Sequence, residues 1–344
     1  MRDVFSFAML KIIYLLTFIF SILEVFLPQP TSADFPQNTK NQYKNSELPK
    51  VALILTGGAA RGLCHIGVIK VLEENNIPID MIIGISMGSI VGGYYAYGYT
   101  VEHMLEKARQ FSLLSLIDLN YPSRGFLSGE KLQHNIFERD VDFARIEELG
   151  KPLYILSTDL ITGSVYIFDH GPLSVAMRAS SAIPGVFDPV VYNGRILVDG
   201  GILTSIPVFL AKEKGADIII VSNVSVSRNM QRSKMANRLY RFALEYVERN
   251  RKKLEEKTRM KEQNILEVIF RTLLLIENNQ GIGGGYDESL VDFTIEPIGN
   301  EIKPFDFYKV DEGYKLGREA TEEIIDRIKE RVCCRTEISG TERH

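Results

Sequence analysis

Apolar positions along this chain fall into two rhythms. Short unbroken runs, Val51-Ala-Leu-Ile-Leu55, Met81-Ile-Ile-Gly-Ile85 and Asp217 to Val221, have the character of strands buried on both faces. Between the first two, Leu63, Ile66, Val68, Ile69 and Leu72 recur at helical spacing and give way to the wet end Glu73-Glu74-Asn75-Asn76, with Pro78 closing the unit. A second helix is predicted from Ser89 to Tyr97. This strand–helix–strand–helix order predicts a parallel sheet with a right-handed crossover. Farther along, Leu153 to Thr158 and Val165 to Phe168 read as strands flanking a turn at Thr162-Gly163, and Pro172 to Ser180 reads as a helix. Val190 to Tyr192 and Ile196 to Val198 flank Asn193-Gly194, a strong short-range hairpin signal. A helix is predicted to open at Ile206-Pro207. A strand is predicted over Asp292 to Glu296, and a final helix from about Asp311 to Arg331.

The remaining segments break these rhythms. Residues 1–33 combine basic Arg2 and Lys11, an apolar run from Ile12 to Leu27, and the small residues Thr31-Ser32-Ala33, which is the three-part order of a signal peptide. Export, to the periplasm or the medium, is the expectation. The alternative is a membrane anchor through residues 12–27, but that run is shorter than the roughly 20 apolar residues that comfortably span a bilayer. Residues 34–48 are a polar linker. Residues 228–280 form a charged helical excursion, most cationic at Arg249-Asn-Arg-Lys-Lys253, which is either a solvated face or a surface for anionic lipid head groups. One domain, 49–332, followed by a tail at 333–344, accounts for the chain better than two domains.

Composition removes some classes of function. Of 344 residues, 45% are hydrophobic and 24% charged, which is ordinary for a protein with a sizeable core. A formal net charge of -4 gives no reason to expect a nucleic-acid partner. Three cysteines, Cys64, Cys333 and Cys334, are too few for a disulfide framework; Cys64 falls in an apolar helical pattern and reads as core.

Three blocks carry candidate chemistry. Gly84-Ile85-Ser86-Met87-Gly88 is a G-x-S-x-G at a strand-to-helix junction, where a sharp turn would project the serine oxygen above the sheet. The same pentapeptide also fits a plain turn with Ser86 as a helix N-cap. Thr56-Gly57-Gly58-Ala59-Ala60-Arg61-Gly62 follows the first strand and opens a helix, so its amides could hold an oxyanion. It departs from the dinucleotide-binding G-x-G-x-x-G at Ala59 and lacks the Gly-Lys-Ser/Thr of a P-loop. Leu197-Val198-Asp199-Gly200-Gly201 sets an acid directly after an apolar strand, as a base or as a turn former. The histidines are His65, His103, His134, His170 and His344. An α/β-hydrolase triad runs in the order serine, acid, histidine, and after Asp199 only the terminal His344 remains. A Ser86–Asp199 dyad therefore fits better than a triad.

Together these blocks resemble the patatin-like phospholipases of the bacterial type. Ala179-Ser-Ser-Ala-Ile-Pro184-Gly-Val-Phe187, Ser157-Thr158-Asp159-Leu160 with Thr162-Gly163, and the segment 125–132 match as well, so the similarity runs from about Pro49 to Arg331. Ala59 departs from the pattern, since a further glycine is usual there. The resemblance implies a three-layer α/β/α fold with a mainly parallel central sheet. It implies hydrolysis of lipid acyl esters, of phospholipase A or lysophospholipase type, without metal or cofactor. Ser86 would be the nucleophile and Asp199 its base. Gly57, Gly58, Ala59, Arg61 and Gly62 would form the oxyanion loop, with Gly84, Gly88, Gly200, Gly201 and Pro184 as motif support. The implied partners are a lipid or phospholipid substrate and, transiently, a membrane surface. An acyltransferase, or a non-catalytic lipid-binding protein, would share the same fold.

Overall fold

The computed structural model describes residues 49–111, 125–204, 206–225, 287–297 and 302–340, together with 268, 269 and 272. The predicted signal segment 1–33, the linker 34–48 and nearly all of 228–280, Arg249 to Lys253 included, lie outside the described residues. Among the described residues no helix is long and apolar enough to cross a membrane.

The strands are β1 (Val51–Leu55), β2 (Met81–Ile85), β3 (Gly125–Leu127), β4 (Leu153–Asp159), β5 (Ser164–Phe168), β6 (Gly185–Phe187), β7 (Val190–Tyr192), β8 (Arg195–Asp199), β9 (Ile218–Ser222) and β10 (Phe293–Ile295). The helices are α1 (Cys64–Glu74), α2 (Met87–Tyr97), α3 (Val101–Gln110), α4 (Leu173–Ser180), α5 (Val208–Glu213), α6 (Val310–Glu322) and α7 (Ile325–Gly340). A wide helical segment, Lys131–Glu138, runs on into Arg139–Val141.

Eight strands form one sheet in the order β10-β9-β1-β2-β4-β8-β7, with β5 also on β4. From β10 to β4 every neighbour is parallel, whereas β8, β7 and β5 join antiparallel. The alternation within β1 explains the layers, because successive side chains point to opposite faces. Val51, Leu53 and Leu55 join the core shared with α1, α2, α3, α4 and α6. Ala52 and Ile54 join Ile83, Ile219 and Val221 under α5. Both faces are covered, which is why β1 and β2 are buried along their whole length. The expected three-layer α/β/α fold with a mainly parallel sheet is the one observed.

The hairpin at Asn193-Gly194 has φ of 49° and 74°, the left-handed pair that a two-residue turn requires. The expected final helix is two helices: α6 ends at Glu322, and α7 carries the chain on to Gly340. The Ile324 amide bonds to the Thr321 carbonyl, three residues back, and this tightened turn separates them. No glycine or proline marks the break. The side chains of Cys333 and Cys334 lie outside what is described, while Cys64 is buried as expected.

Candidate active site

Ser86 stands between β2 and α2 with φ 52° and ψ −122°, a conformation that costs a non-glycine residue about 1–3 kcal/mol. Its flanking glycines are steric necessities. A methyl at Gly84 would lie 2.6 Å from the Ser89 Cα, and one at Gly88 would lie 2.1 Å from the Leu55 carbonyl oxygen. The strain is held by hydrogen bonds on both sides. The Ser86 amide donates to Ser180 Oγ at 2.8 Å, and the Ser89 hydroxyl donates to the Ser86 carbonyl at 2.6 Å.

Asp199 ends β8, directly opposite Ser157 of β4. Its amide donates to the Ala182 carbonyl at 3.0 Å, and its Oδ1 accepts from the Gly201 amide at 2.8 Å, a local turn that orients the carboxylate. Gly200 is fixed by space, since a methyl there would meet the Leu156 carbonyl oxygen at 2.3 Å. Burial pushes the Asp199 pKa from 3.8 up to about 6, while interactions with the Ser86 side chain and the Gly201 amide pull the other way. Among the described residues no cation pairs with it. A buried carboxylate beside a serine, with its pKa lifted towards neutrality, has the properties of a general base.

The glycine loop lies over Ser86. The position a Gly57 methyl would take is 3.1 Å from the Ser86 Cβ and 3.8 Å from its Oγ. The amides of Gly57, Gly58 and Ala59 have no hydrogen-bond partner among the described residues, whereas those of Ala60 and Arg61 are engaged by the Pro304 and Gly58 carbonyls. Arg61 is buried and its Nε donates to the Gly58 carbonyl at 3.2 Å, bracing the loop. Gly62 makes room for Met87, whose Cγ would lie 2.3 Å from a methyl there. Ala59 adopts φ 49°, in the left-handed region where glycine is easiest.

Beneath the loop sits His65, which is fully buried. Its Nε2 lies 2.9 Å from the Thr56 carbonyl and its Nδ1 lies 2.7 Å from the Ser222 hydroxyl. A carbonyl only accepts, so Nε2 carries the proton and Ser222 donates to Nδ1. Burial lowers the His65 pKa to about 4, against the opposing bond to Thr56, which keeps the ring neutral. His65 thus supports the loop from below. His103, His134 and His170 are on exposed positions far along the chain from both blocks, and His134 and His170 are engaged with Glu138 and Asp169.

Ser86 lines a cavity of about 420 Å³. Met87, Ile90, Val91 and Tyr94 face it from α2 at spacings of three and four, and Met104, Ala108 and Phe111 face it from α3 and its end. Ala59, Ile183 and Phe187 complete its wall near the serine, and Lys107, Asn135 and Arg139 give it polar points. Among these, Tyr94 donates to Asp140 at 2.9 Å and Lys107 pairs with Asp140 at 2.5 Å. Pro184 is buried just past Ile183, at the bend into β6. Among the described residues no cluster of three His, Cys, Asp or Glu side chains could hold a metal ion.

A profile of the family described as patatin-like phospholipase matches residues 53–212, a span that contains the glycine loop, Ser86 and Asp199. Residues 53–212 are a patatin-like phospholipase domain. An uncharacterized NTE family protein of Mycobacterium tuberculosis is 41% identical over 54% of this chain and 51% of its own length. The lysophospholipase NTE1 of Candida albicans is 34% identical over 51% of this chain and 13% of its own. The chain thus spans about half the length of the mycobacterial relative it matches and much less of the yeast one. The crystal structure of VipD from Legionella pneumophila is 13% identical over 82% of this chain and 67% of that chain, with a TM-score of 0.48.

In the sequence the block Ala179–Phe187 counts only through the family resemblance, with Pro184 as motif support. Within the patatin-like domain it touches both candidate groups, through Ser180 to Ser86 and through the Ala182 carbonyl to Asp199. A serine after an apolar helix carries no signal of that contact. Only the three-dimensional approach of α4 to the turn after β2 reveals it.

Proposed function

We propose that this protein hydrolyses lipid acyl esters, as a phospholipase A or lysophospholipase, with Ser86 as nucleophile and Asp199 as base. The observation that carries the reading is one juxtaposition. A serine held at positive φ interacts with a buried carboxylate that has no cation partner among the described residues, and the same serine lines a mostly apolar cavity of about 420 Å³. Asp199 removes the Ser86 hydroxyl proton as Oγ bonds to the ester carbonyl carbon. The carbonyl oxygen takes the negative charge, and the amides of Gly57, Gly58 and Ala59, unpaired among the described residues, stabilise it. Collapse breaks the ester C–O bond, and the proton on Asp199 passes to the departing alcohol. Water then gives a proton to Asp199 and attacks the acyl-enzyme, and Ser86 regains its proton as the fatty acid leaves.

The names of the yeast relatives make lysophospholipid the first natural substrate to test. The order of charge, apolar run and small residues over 1–33 supports action outside the cytoplasm. The deciding experiment is turnover of a chromogenic acyl ester by wild type, Ser86→Ala and Asp199→Asn. Both substitutions are expected to lower kcat by about 10³-fold or more, because members of a catalytic unit fail together. Equal turnover by all three proteins would overturn the dyad.

A further inference from the structure

The machinery proposed above uses the glycine loop, Ser86 and Asp199, but it leaves unexplained how a strained serine and an acid from a distant strand keep their register. We infer that Ser180, at the end of α4, is the positioning residue that locks the nucleophile turn, and that the bend from Ser180 to Ala182 sets the spacing of the dyad. This rests on the reading of Ser86 and Asp199 as that dyad.

Five hydrogen bonds carry the inference. Ser180 is fully buried, and its hydroxyl has one hydrogen to give and lone pairs to receive. It donates to the Leu156 carbonyl of β4 at 2.6 Å. That donation fixes the rotor, so a lone pair of Ser180 Oγ is aimed at the Ser86 amide, which donates to it at 2.8 Å. Two residues on, the Ala182 carbonyl accepts the Asp199 amide at 3.0 Å. The turn itself is pinned, because the Ser181 hydroxyl donates to the Met177 carbonyl at 2.7 Å and the Ser181 amide donates to the same carbonyl. The Leu156 carbonyl that orients Ser180 also crowds Gly200, next to Asp199. One short bend therefore touches the backbone of both dyad residues.

The Ser86 amide matters because its direction defines the turn. With φ 52° and ψ −122°, the residue sits outside the wells that non-glycine residues populate, and it persists only while its surroundings over-determine it. Without an acceptor at Ser180 the buried amide is unpartnered, and relaxation of the turn moves Oγ away from Asp199 and from the loop amides. A misplacement of about 1 Å at a reacting atom is enough to cost about 100-fold in rate. Ser180 itself does not line the cavity, whose walls come largely from α2 and α3, so the effect of its loss is expected on kcat.

The test compares wild type, Ser180→Ala and Ser180→Thr, in ester turnover and in hydrogen exchange of the Ser86 amide. Ser180→Ala is expected to lower kcat by about 10–100-fold with KM within twofold, and to speed exchange of the Ser86 amide at least tenfold at matched thermal stability. Ser180→Thr keeps the hydroxyl and is expected to restore protection and part of kcat. A Ser180→Ala protein with kcat within twofold of wild type would overturn the inference. So would a uniform acceleration of exchange across the domain in place of a change centred on residue 86. Should wild type turn over no ester, the hydrolase reading fails on its own, and exchange at Ser86 still decides whether Ser180 locks the turn.

Discussion

Two buried aspartates lie at opposite ends of the same antiparallel ladder between β4 and β8. Asp159 pairs in register with Leu197, and Asp199 pairs with Ser157. Both are nearly closed off from solvent, 1% and 7% exposed, but the Asp199 carboxylate lies deeper in the protein, and the partners of the two differ as well. Burial raises the Asp159 pKa, but the Ile161 amide, the Arg195 guanidinium 2.8 Å away and Thr162 outweigh it, and the net shift is downward. Asp199 has the Ser86 side chain and one amide but no cation among the described residues, and burial raises its pKa to about 6. The same residue type in the same sheet is a hydrogen-bonded, ion-paired anion at one end and, in the proposed function, the proton acceptor at the other. Depth of burial, the Ile161 amide and the Arg195 guanidinium together make the difference.

Neutralising each acid in turn breaks the comparison most directly. The rise of Asp199 from 3.8 to about 6 corresponds to about 3 kcal/mol of folding stability withheld once the group is ionised. The folded state holds this proton more tightly than the unfolded chain, so stability contributed here falls as pH rises from 3.8 to about 6. Asp199→Asn is therefore expected to raise the unfolding temperature by several degrees at pH 8, with the gain fading below pH 5. Asp159→Asn keeps one acceptor oxygen for the Ile161 amide but removes the charge and sets an NH2 group against the Arg195 guanidinium. It is expected to cost about 2 kcal/mol or more at pH 8, and the loss should shrink in acid, where Asp159 becomes protonated in both states. Differential scanning calorimetry at the two pH values reads both. Shifts of the same sign for the two variants would remove the distinction.

Activity sharpens the same contrast. A base must be unprotonated to act, so kcat/KM is expected to rise with pH through a single midpoint near 6 and to fall about tenfold per pH unit on the acid side. Asp159→Asn should keep that midpoint, since the Arg195-bound acid takes no proton during turnover. A midpoint near 4, or a profile flat from pH 5 to 8, would show that Asp199 is not the titrating base.

This contrast was half legible in the sequence. Asp199 was visible as a candidate acid, directly after an apolar strand and before Gly200-Gly201, whereas Asp159 entered only as part of a block carrying the family resemblance. The parallel order of β1, β2 and β4 and the hairpin at Asn193-Gly194 were readable for the same reason: period, length and turn chemistry act locally. What could not be read were contacts made across the fold. Arg195 belongs to the hairpin that delivers Asp199, yet its charge is spent on Asp159. Ser180 and His65 look like ordinary helix residues until β4 and the glycine loop close over them. The break between α6 and α7 was missed because nothing in Glu323-Ile324 departs from helical periodicity.

Ala59 tests how far a local departure from the family pattern matters. Where a further glycine is usual, this chain has a methyl group at φ 49°, on the wall of the cavity. A left-handed L-residue costs about 1–2 kcal/mol. Glycine would relieve that strain but would widen the unfolded ensemble, at a cost of about 0.4–1 kcal/mol. The difference favours Ala59→Gly by about 0.8 kcal/mol, or about two to three degrees in unfolding temperature for a domain of this size. The amide of residue 59 keeps its direction in either case, because the Arg61 amide and side chain hold the Gly58 carbonyl just before it. Ester turnover should therefore stay within twofold of wild type. A fall of ten-fold or more would show that the methyl, and not the amide alone, shapes the space above Ser86. The loop would then differ from Asp199 in kind, its function set by side-chain volume and not by electrostatic company.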